Sequence, residues 1–395
     1  MEKKRLFGLS KNVVSLGFVS FLTDISSEMI YPLLPVFLTT VLGVSYSFVG
    51  LIEGVAETTA SIVKFFSGWF SDKLRKRKAL VFFGYALSSF TRPLVAIASV
   101  GWHVLAIRFS DRVGKGIRTS PRDALVASST AESDRGKAFG FHRAMDNAGA
   151  VLGPLLAFGL LAIHPEHYKM VFWLASIPGL ISLLVIAFFV KETGFEKIVN
   201  HTKKISLSLK PFDARFKIYL LIIILFTLGN SSDAFLLLRA KSLNIPVTLL
   251  PILWVVLSAV KMLSSMPGGM LSDRIGRKKV IIAGWIIYAL VYFGFAFASS
   301  AWHIWALFAI YGFFYGLTEG AEKALVADLV PNELRGTAYG LFNFAIGIAA
   351  LPASLLMGII WQTFGVIYAF LFGASLAFIA AILFILTVPI EKKSA

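Results

Sequence analysis

Residues 68–80 read GWFSDKLRKRKAL, and residues 268–281 read GGMLSDRIGRKKVI. Each joins one apolar run to the next, and each sets glycine, aspartate and a basic cluster in the same order. The correspondence spreads outward from these two stretches. WHVLAIRF from Trp102 answers WHIWALFA from Trp302, and ALVA occurs at 124–127 and again at 324–327. Arg135-Gly136 and Gly140 answer Arg335-Gly336 and Gly340, and SSE at 26–28 answers SSD at 231–233. An offset near 200, held through separate stretches, makes the chain two copies of one unit, each about half its length.

The chain has 395 residues, 57% of them hydrophobic and 15% charged, with a mean hydropathy of +0.77. Apolar runs of about 20 residues recur along it, the length a helix needs to cross ~30 Å of hydrocarbon. They predict an all-α polytopic membrane protein with twelve spans, near 13–40, 46–68, 79–99, 102–129, 137–162, 169–190, 216–240, 247–267, 279–299, 302–328, 336–360 and 365–388. The polar segment after the sixth divides the chain into an N-terminal six-helix bundle (1–190), a linker (191–215) and a C-terminal bundle (216–395). The net charge of +16 is gathered in alternate loops: KKR near the start, DKLRKRK, the linker and DRIGRKK. That is the pattern of cytoplasmic loops. It puts both termini in the cytoplasm, places the chain in the plasma or inner membrane, and argues against a nucleic-acid partner. The first apolar stretch holds Asp24 and Glu28 and no small-residue cleavage site, so it reads as a retained span. Cysteine is absent, which excludes disulfides and thiol chemistry.

The two opening stretches resemble the loop signature of the major facilitator superfamily, which falls between its second and third and its eighth and ninth spans. Arg75 stands where that signature usually has glycine. The resemblance implies a fold of two parallel six-helix bundles working by alternating access. It also implies a gating role for Gly68, Asp72, Arg77, Gly269, Asp273, Gly276 and Arg277, which latch the cytoplasmic side. Plain positive-inside loops account for the basic residues but not for Gly-x-x-x-Asp at both positions.

Charges also lie where hydrocarbon should be. Arg108, Asp111, Arg112, Lys115, Arg118 and Arg122 fall at offsets 0, 3, 4, 7, 10 and 14, one stripe along the fourth span. A charge at mid-bilayer costs ~2.5–3.5 kcal/mol on insertion scales. Such a stripe is tolerated where it lines water or meets opposite charge. Asp24, Glu28 and Tyr31 form a stripe on the first span. Glu53, Glu57 and Lys64 form one on the second, and Arg92 lies on the third. The expectation is one ion-paired, water-accessible cavity in the N-terminal half, against the plainer reading that these pairs only hold helices together. Arg122 and Asp123, near the cytoplasmic end, fit the plainer reading best. In the superfamily the fourth-span arginine begins Arg-x-x-Gln-Gly-x-Gly. The resemblance is carried here by Arg112 and Gly116, and implies a role for Arg112 in proton handling. Lys115 and Arg118 depart from the pattern and make the cavity more cationic.

On the fifth span, Gly140, Gly149, Gly153 and Pro154 resemble the antiporter signature of the same superfamily, with Ala157 and Phe158 in place of its last glycines. The alternative is generic close packing. Asp146 reads as a cavity acid or a partner of Arg143. In the C-terminal half Asp233, Glu319 and Glu322 are the acids, Lys261 a counter-ion, and Tyr311, Tyr315 and Trp254 a candidate amphipathic wall. HPEH at 164–167 is a short outer loop and not a metal site, and no Walker or other catalytic motif occurs. The chain therefore reads as no enzyme, needing no cofactor, with a proton gradient as driving force, working as a monomer in the bilayer on a small-molecule substrate. The leading function is a proton-coupled antiporter exporting an organic compound. The alternatives are a coupled transporter of an anionic metabolite or metal chelate, and a non-transporting receptor of the same fold.

Overall fold

Twelve helical segments follow one another in the computed structural model, with no strand among the described residues. The structure describes residues 9–74, 76–131, 134–165, 167–192, 209–331 and 334–387, without the side chains of residues 68, 69 and 72–74. Most of the 191–215 linker and the side chain of Asp72 fall outside the described residues, and Gly68 is described only as a helical position.

The segments are α1 (Lys11–Val41), α2 (Tyr46–Leu74), α3 (Arg77–Ile97), α4 (Gly101–Ser128), α5 (Arg135–Ile163) and α6 (Tyr168–Phe189). The second six are α7 (Ala214–Ser242), α8 (Val247–Ile275), α9 (Arg277–Phe297), α10 (Ala301–Asp328), α11 (Arg335–Phe364) and α12 (Val366–Thr387). Nine are long and apolar enough to cross a membrane by composition alone. The other three, α2, α4 and α10, include the second- and fourth-span stripes and the Glu319–Glu322 face, so polar content rather than length sets them apart. Two spans are interrupted. The regular helix of α1 ends at Ile30 and resumes at Leu34, where Pro32 and Pro35 remove backbone donors. In α7 the helix stops at Gly229 and restarts at Ala234. SSD at 231–233 lies within the second interruption, and SSE at 26–28 lies in the last turn of helix before the first.

The chain divides into two compact units. The first gathers α1, α2 from Thr59, α3 to α6, and Val247–Val255 of α8; the second gathers Gly43–Thr58, α7, the rest of α8, and α9 to α12. Within the first, α1 packs on α5 and α6, and α3 on α4 and α6. Within the second, α7 packs on α11 and α12, and α9 on α10 and α12. Each pair in one unit has its equivalent in the other, six helices on, which is the internal repeat expressed as packing. The first unit is filled at one end by aliphatic side chains around Val13, Leu16, Val81, Leu125 and Ile186. Rings fill the second: Phe226 stacks on Trp285 at 4.5 Å and Tyr288 on Tyr292 at 4.2 Å. Phe188, Met266 and Leu386 are each about three-quarters exposed, as side chains facing lipid are.

Candidate functional site

Two turns of α1 in the first unit carry Asp24 and Glu28, and both lie on the glycine face of α5. A Cβ added to Gly149 would stand 2.6 Å from the Phe21 carbonyl oxygen and 2.9 Å from Asp24 Cβ. One added to Gly153 would stand 2.7 Å from the Ile25 carbonyl oxygen and 3.0 Å from Glu28 Cβ. Only glycine permits backbones this close without displacement. The antiporter-like glycines therefore set the depth at which the two acids sit. Gly140 has nothing within 4 Å, and Pro154 lies inside the intact α5 helix, buried.

Glu28 accepts a hydrogen bond from Trp254 Nε1 at 2.7 Å, and Trp254 packs on Tyr31 with ring centroids 4.8 Å apart. The Arg108 guanidinium lies over the Tyr31 ring, 5.7 Å from its centre, within the range of a cation–π contact. The charges of Lys115, Arg112 and Arg92 act on Glu28, and those of Asp146, Glu28, Lys115 and Arg118 act on Asp24.

Arg108, Asp111, Arg112 and Arg118 are buried, and Lys115 is exposed. Asp111 Oδ1 accepts from Arg92 Nε at 2.8 Å, and Arg92 also donates to the Thr23 carbonyl at 3.1 Å, tying α3 to both α4 and α1. Arg118 donates to Ser88 Oγ at 2.9 Å and covers the Tyr85 ring at 4.2 Å. Arg122 chelates Asp123 Oδ1 at 3.0 and 2.9 Å. A buried pair such as Arg92–Asp111 fixes geometry more than it adds stability, and breaking it strands a charge.

Glu53 and Glu57 fall in the second unit, whereas Asp24 and Glu28 fall in the first. Gly50 and Gly54 seat the first half of α2 on the α11 backbone at Ser354 and Leu351, which carries both glutamates to α7. Glu53 is buried and lies 3.5 Å from Ser232 Oγ; the charge of Glu57 acts on Asp233. Lys64, on the second half of α2, stays in the first unit, where its carbonyl accepts from Ser120.

At the interruption of α7, Asp233 takes two tyrosine hydroxyls, Tyr311 at 2.7 Å and Tyr315 at 3.1 Å. Lys261 lies 4.4 Å above the Tyr315 ring and 3.2 Å from Glu319. Lys323 reaches the same carboxylate at 3.2 Å. Glu322 accepts from Trp285 Nε1 at 2.9 Å. The hydroxyls of Tyr311 and Tyr315 thus face an acid, a role their positions on an apolar helix did not announce.

Of the gating residues, Gly276 holds a positive φ of 99° at the start of α9, a backbone that suits glycine, and Gly269 has open space around it. Asp273 lies 3.7 Å from Arg277, which makes its shorter bond, 2.6 Å, to Asp328. Arg77 is buried at the start of α3. Sequence reasoning missed Asp328, because nothing in its local pattern points to α9. It also missed His142, whose Nδ1 lies 3.5 Å from Asp146 Oδ2; the i, i+4 spacing of the two was the available signal.

Residues 16–260 and 218–395 match the model of the Major Facilitator Superfamily. The chain is 39% identical over 381 residues to an uncharacterized MFS-type transporter of Methanocaldococcus jannaschii, covering 95% of this chain and 94% of that one. It is 26% identical over 339 residues to the multidrug resistance protein MdtG of Salmonella typhi, covering 82% and 81%. The structure is similar to that of a nucleoside transporter, NupG, with a TM-score of 0.78 at 12% identity, covering 94% and 98%.

Proposed function

The chain belongs to the Major Facilitator Superfamily and is a multi-pass membrane transporter, not an enzyme, and from that premise we propose that it exchanges protons for a small organic compound which it exports. One observation carries the reading: Asp24 and Glu28 rest on Gly149 and Gly153 of the antiporter-like motif, beside the interruption of α1. Interrupted spans mark the sites of secondary transporters, because backbone freed from the helix can meet a ligand. A carboxylate there changes its proton affinity when a counter-charge or a donor approaches or leaves. Glu28 has both kinds of neighbour, the Trp254 N–H and the cations of α4. A substrate that takes over either contact competes with the proton for the same carboxylate, which is the condition for antiport. The likeness to a multidrug resistance protein supports outward movement. In the second unit, Asp233 with Tyr311 and Tyr315 is a separate acid with its own two hydroxyl donors, and the Asp273–Arg277–Asp328 cluster serves the cytoplasmic latch. On this reading the protein works as a monomer in the plasma or inner membrane, with both termini in the cytoplasm.

The experiment is proton release by purified protein in lightly buffered detergent on adding lipophilic cations or organic anions in turn. Wild type should release protons with one charge class, and Asp24→Asn and Glu28→Gln should lose that release while still expressing and purifying as folded protein. Unaltered release in both variants removes these acids from coupling.

A further inference from the structure

The antiport reading does not use the His142–Asp146 pair. His142 is 5% exposed on α5, with Nδ1 3.5 Å from Asp146 Oδ2. On the far sides of the pair, His142 Nε2 and Asp146 Oδ1 are both buried, with no hydrogen-bond partner among the described residues. A half-satisfied buried pair costs stability where an apolar side chain would not, so its presence asks for a use.

Its position along α5 supplies one. At 1.5 Å per residue, Asp146 lies about 6 Å beyond His142, and Gly149, the seat of Asp24, about 4.5 Å beyond Asp146. Gly153, the seat of Glu28, is about 6 Å further on. The order His142, Asp146, Asp24, Glu28 therefore climbs the α1–α5 interface from the Arg135 end of the helix in steps of about one turn. The charges around the pair are defined. Asp146 is felt by Asp24 across the interface. Arg122 of α4, itself bonded to Asp123, acts on Asp146 together with Ser20 of α1. Lys115 and Arg118 of α4 and Glu28 of α1 act on Asp24. Arg143, next to His142 on α5, is exposed.

We propose that His142 and Asp146 form a proton relay joining Asp24 to the Arg135 end of α5, an inference that rests on the assignment of proton exchange to Asp24 and Glu28. A proton arriving at Nε2 makes the ring an imidazolium. The Nδ1 proton then passes to the Asp146 carboxylate and leaves a neutral ring protonated on Nε2. Asp146 hands that proton to the Asp24 carboxylate, and tautomer exchange resets the ring. One proton enters and one leaves, with no other reactant. The relay runs equally in reverse.

The test needs no substrate. Full-length protein carrying ¹⁵N-labelled histidine rings, in lipid nanodiscs, is titrated by NMR between pH 5 and 9. Six histidines are present, and His142→Gln identifies the signal; His142→Asn replaces it if that variant does not fold. A relay requires that the His142 midpoint move by about half a pH unit or more in Asp24→Asn, and further in Asp146→Asn. A midpoint indifferent to Asp24→Asn, or a ring that does not titrate, overturns it. If Asp24→Asn abolishes substrate-linked proton release while leaving the His142 midpoint alone, the relay is wrong and the antiport reading stands. If release survives in both Asp24→Asn and Glu28→Gln, the antiport reading fails and the relay falls with it.

Discussion

Glu28 and Trp254 are 226 positions apart in the chain, yet the bond between them is among the shortest side-chain contacts in the structure at 2.7 Å. A hydrogen bond to an ionised group contributes about 1.5–3 kcal/mol, and Trp254→Phe removes the donor while leaving most of the ring's packing on Tyr31. Thermal unfolding in detergent should therefore fall by several degrees in this variant. It should fall much less when Glu28→Leu, which has no acceptor, is already present, because a double-mutant cycle reports only the shared contact. Fully additive losses would contradict the bond. The acids themselves were legible, since a carboxylate in an apolar run has few reasons to be there. Their partners were not. Trp254 read as part of an amphipathic wall with no partner named, because an indole shows its one polar atom only when a neighbour is in place. The Tyr311 and Tyr315 hydroxyls on Asp233 were hidden for the same reason.

Along α5 the antiporter-like motif separates into two kinds of glycine. Gly149 and Gly153 are wedged against the α1 backbone, whereas Gly140 faces open space. Gly149→Ala forces α1 away from α5 at the level of Asp24 and should cost ~1–3 kcal/mol, as overpacking does. Gly140→Ala should be neutral or slightly stabilising, since alanine favours helix over glycine. Melting curves of the two variants side by side decide it; equal losses would mean that the motif acts through something other than close approach. The second helix teaches the converse. Its charged stripe, Glu53, Glu57 and Lys64, has one helical face by spacing, but the glycines Gly50 and Gly54 draw its first half to α11, and Gly116 of α4 receives the second half at Val63 and Lys64. Periodicity assigns residues to a face; the neighbour that face meets depends on where backbones can approach.

The repeat extends to details that neither copy displays alone. Lys78 donates to the Ala187 carbonyl at 2.9 Å, and Lys278, 200 positions later, donates to the Ile385 carbonyl at 2.8 Å. Each lysine thus opens the third helix of its half and closes on the last turn of the sixth, where a cation meets the negative end of the helix dipole. The absence of native cysteine makes the topology directly measurable. Single cysteines at Lys76 and Lys210 should react with an impermeant maleimide only from the cytoplasmic face, and cysteines at Ser99 and Ser299 only from the outer face. Labelling of all four from one side would refute the twelve-span arrangement.

The sequence determined the number of spans, their order and the doubling of the chain, because a helix in hydrocarbon must satisfy its own backbone and be apolar for about 20 residues. Those are local requirements, written residue by residue. It also exposed the buried charges, since each one violates the local rule. Only the tertiary structure decided which polar partners meet: Arg92 with Asp111, Glu28 with Trp254, His142 with Asp146, Arg277 with Asp328. It also set Glu53 on Ser232, a partner 179 positions away. Pairing depends on side chains from distant segments arriving within about 3 Å. That distance is set by how closely whole helices pack, and no single helix records it.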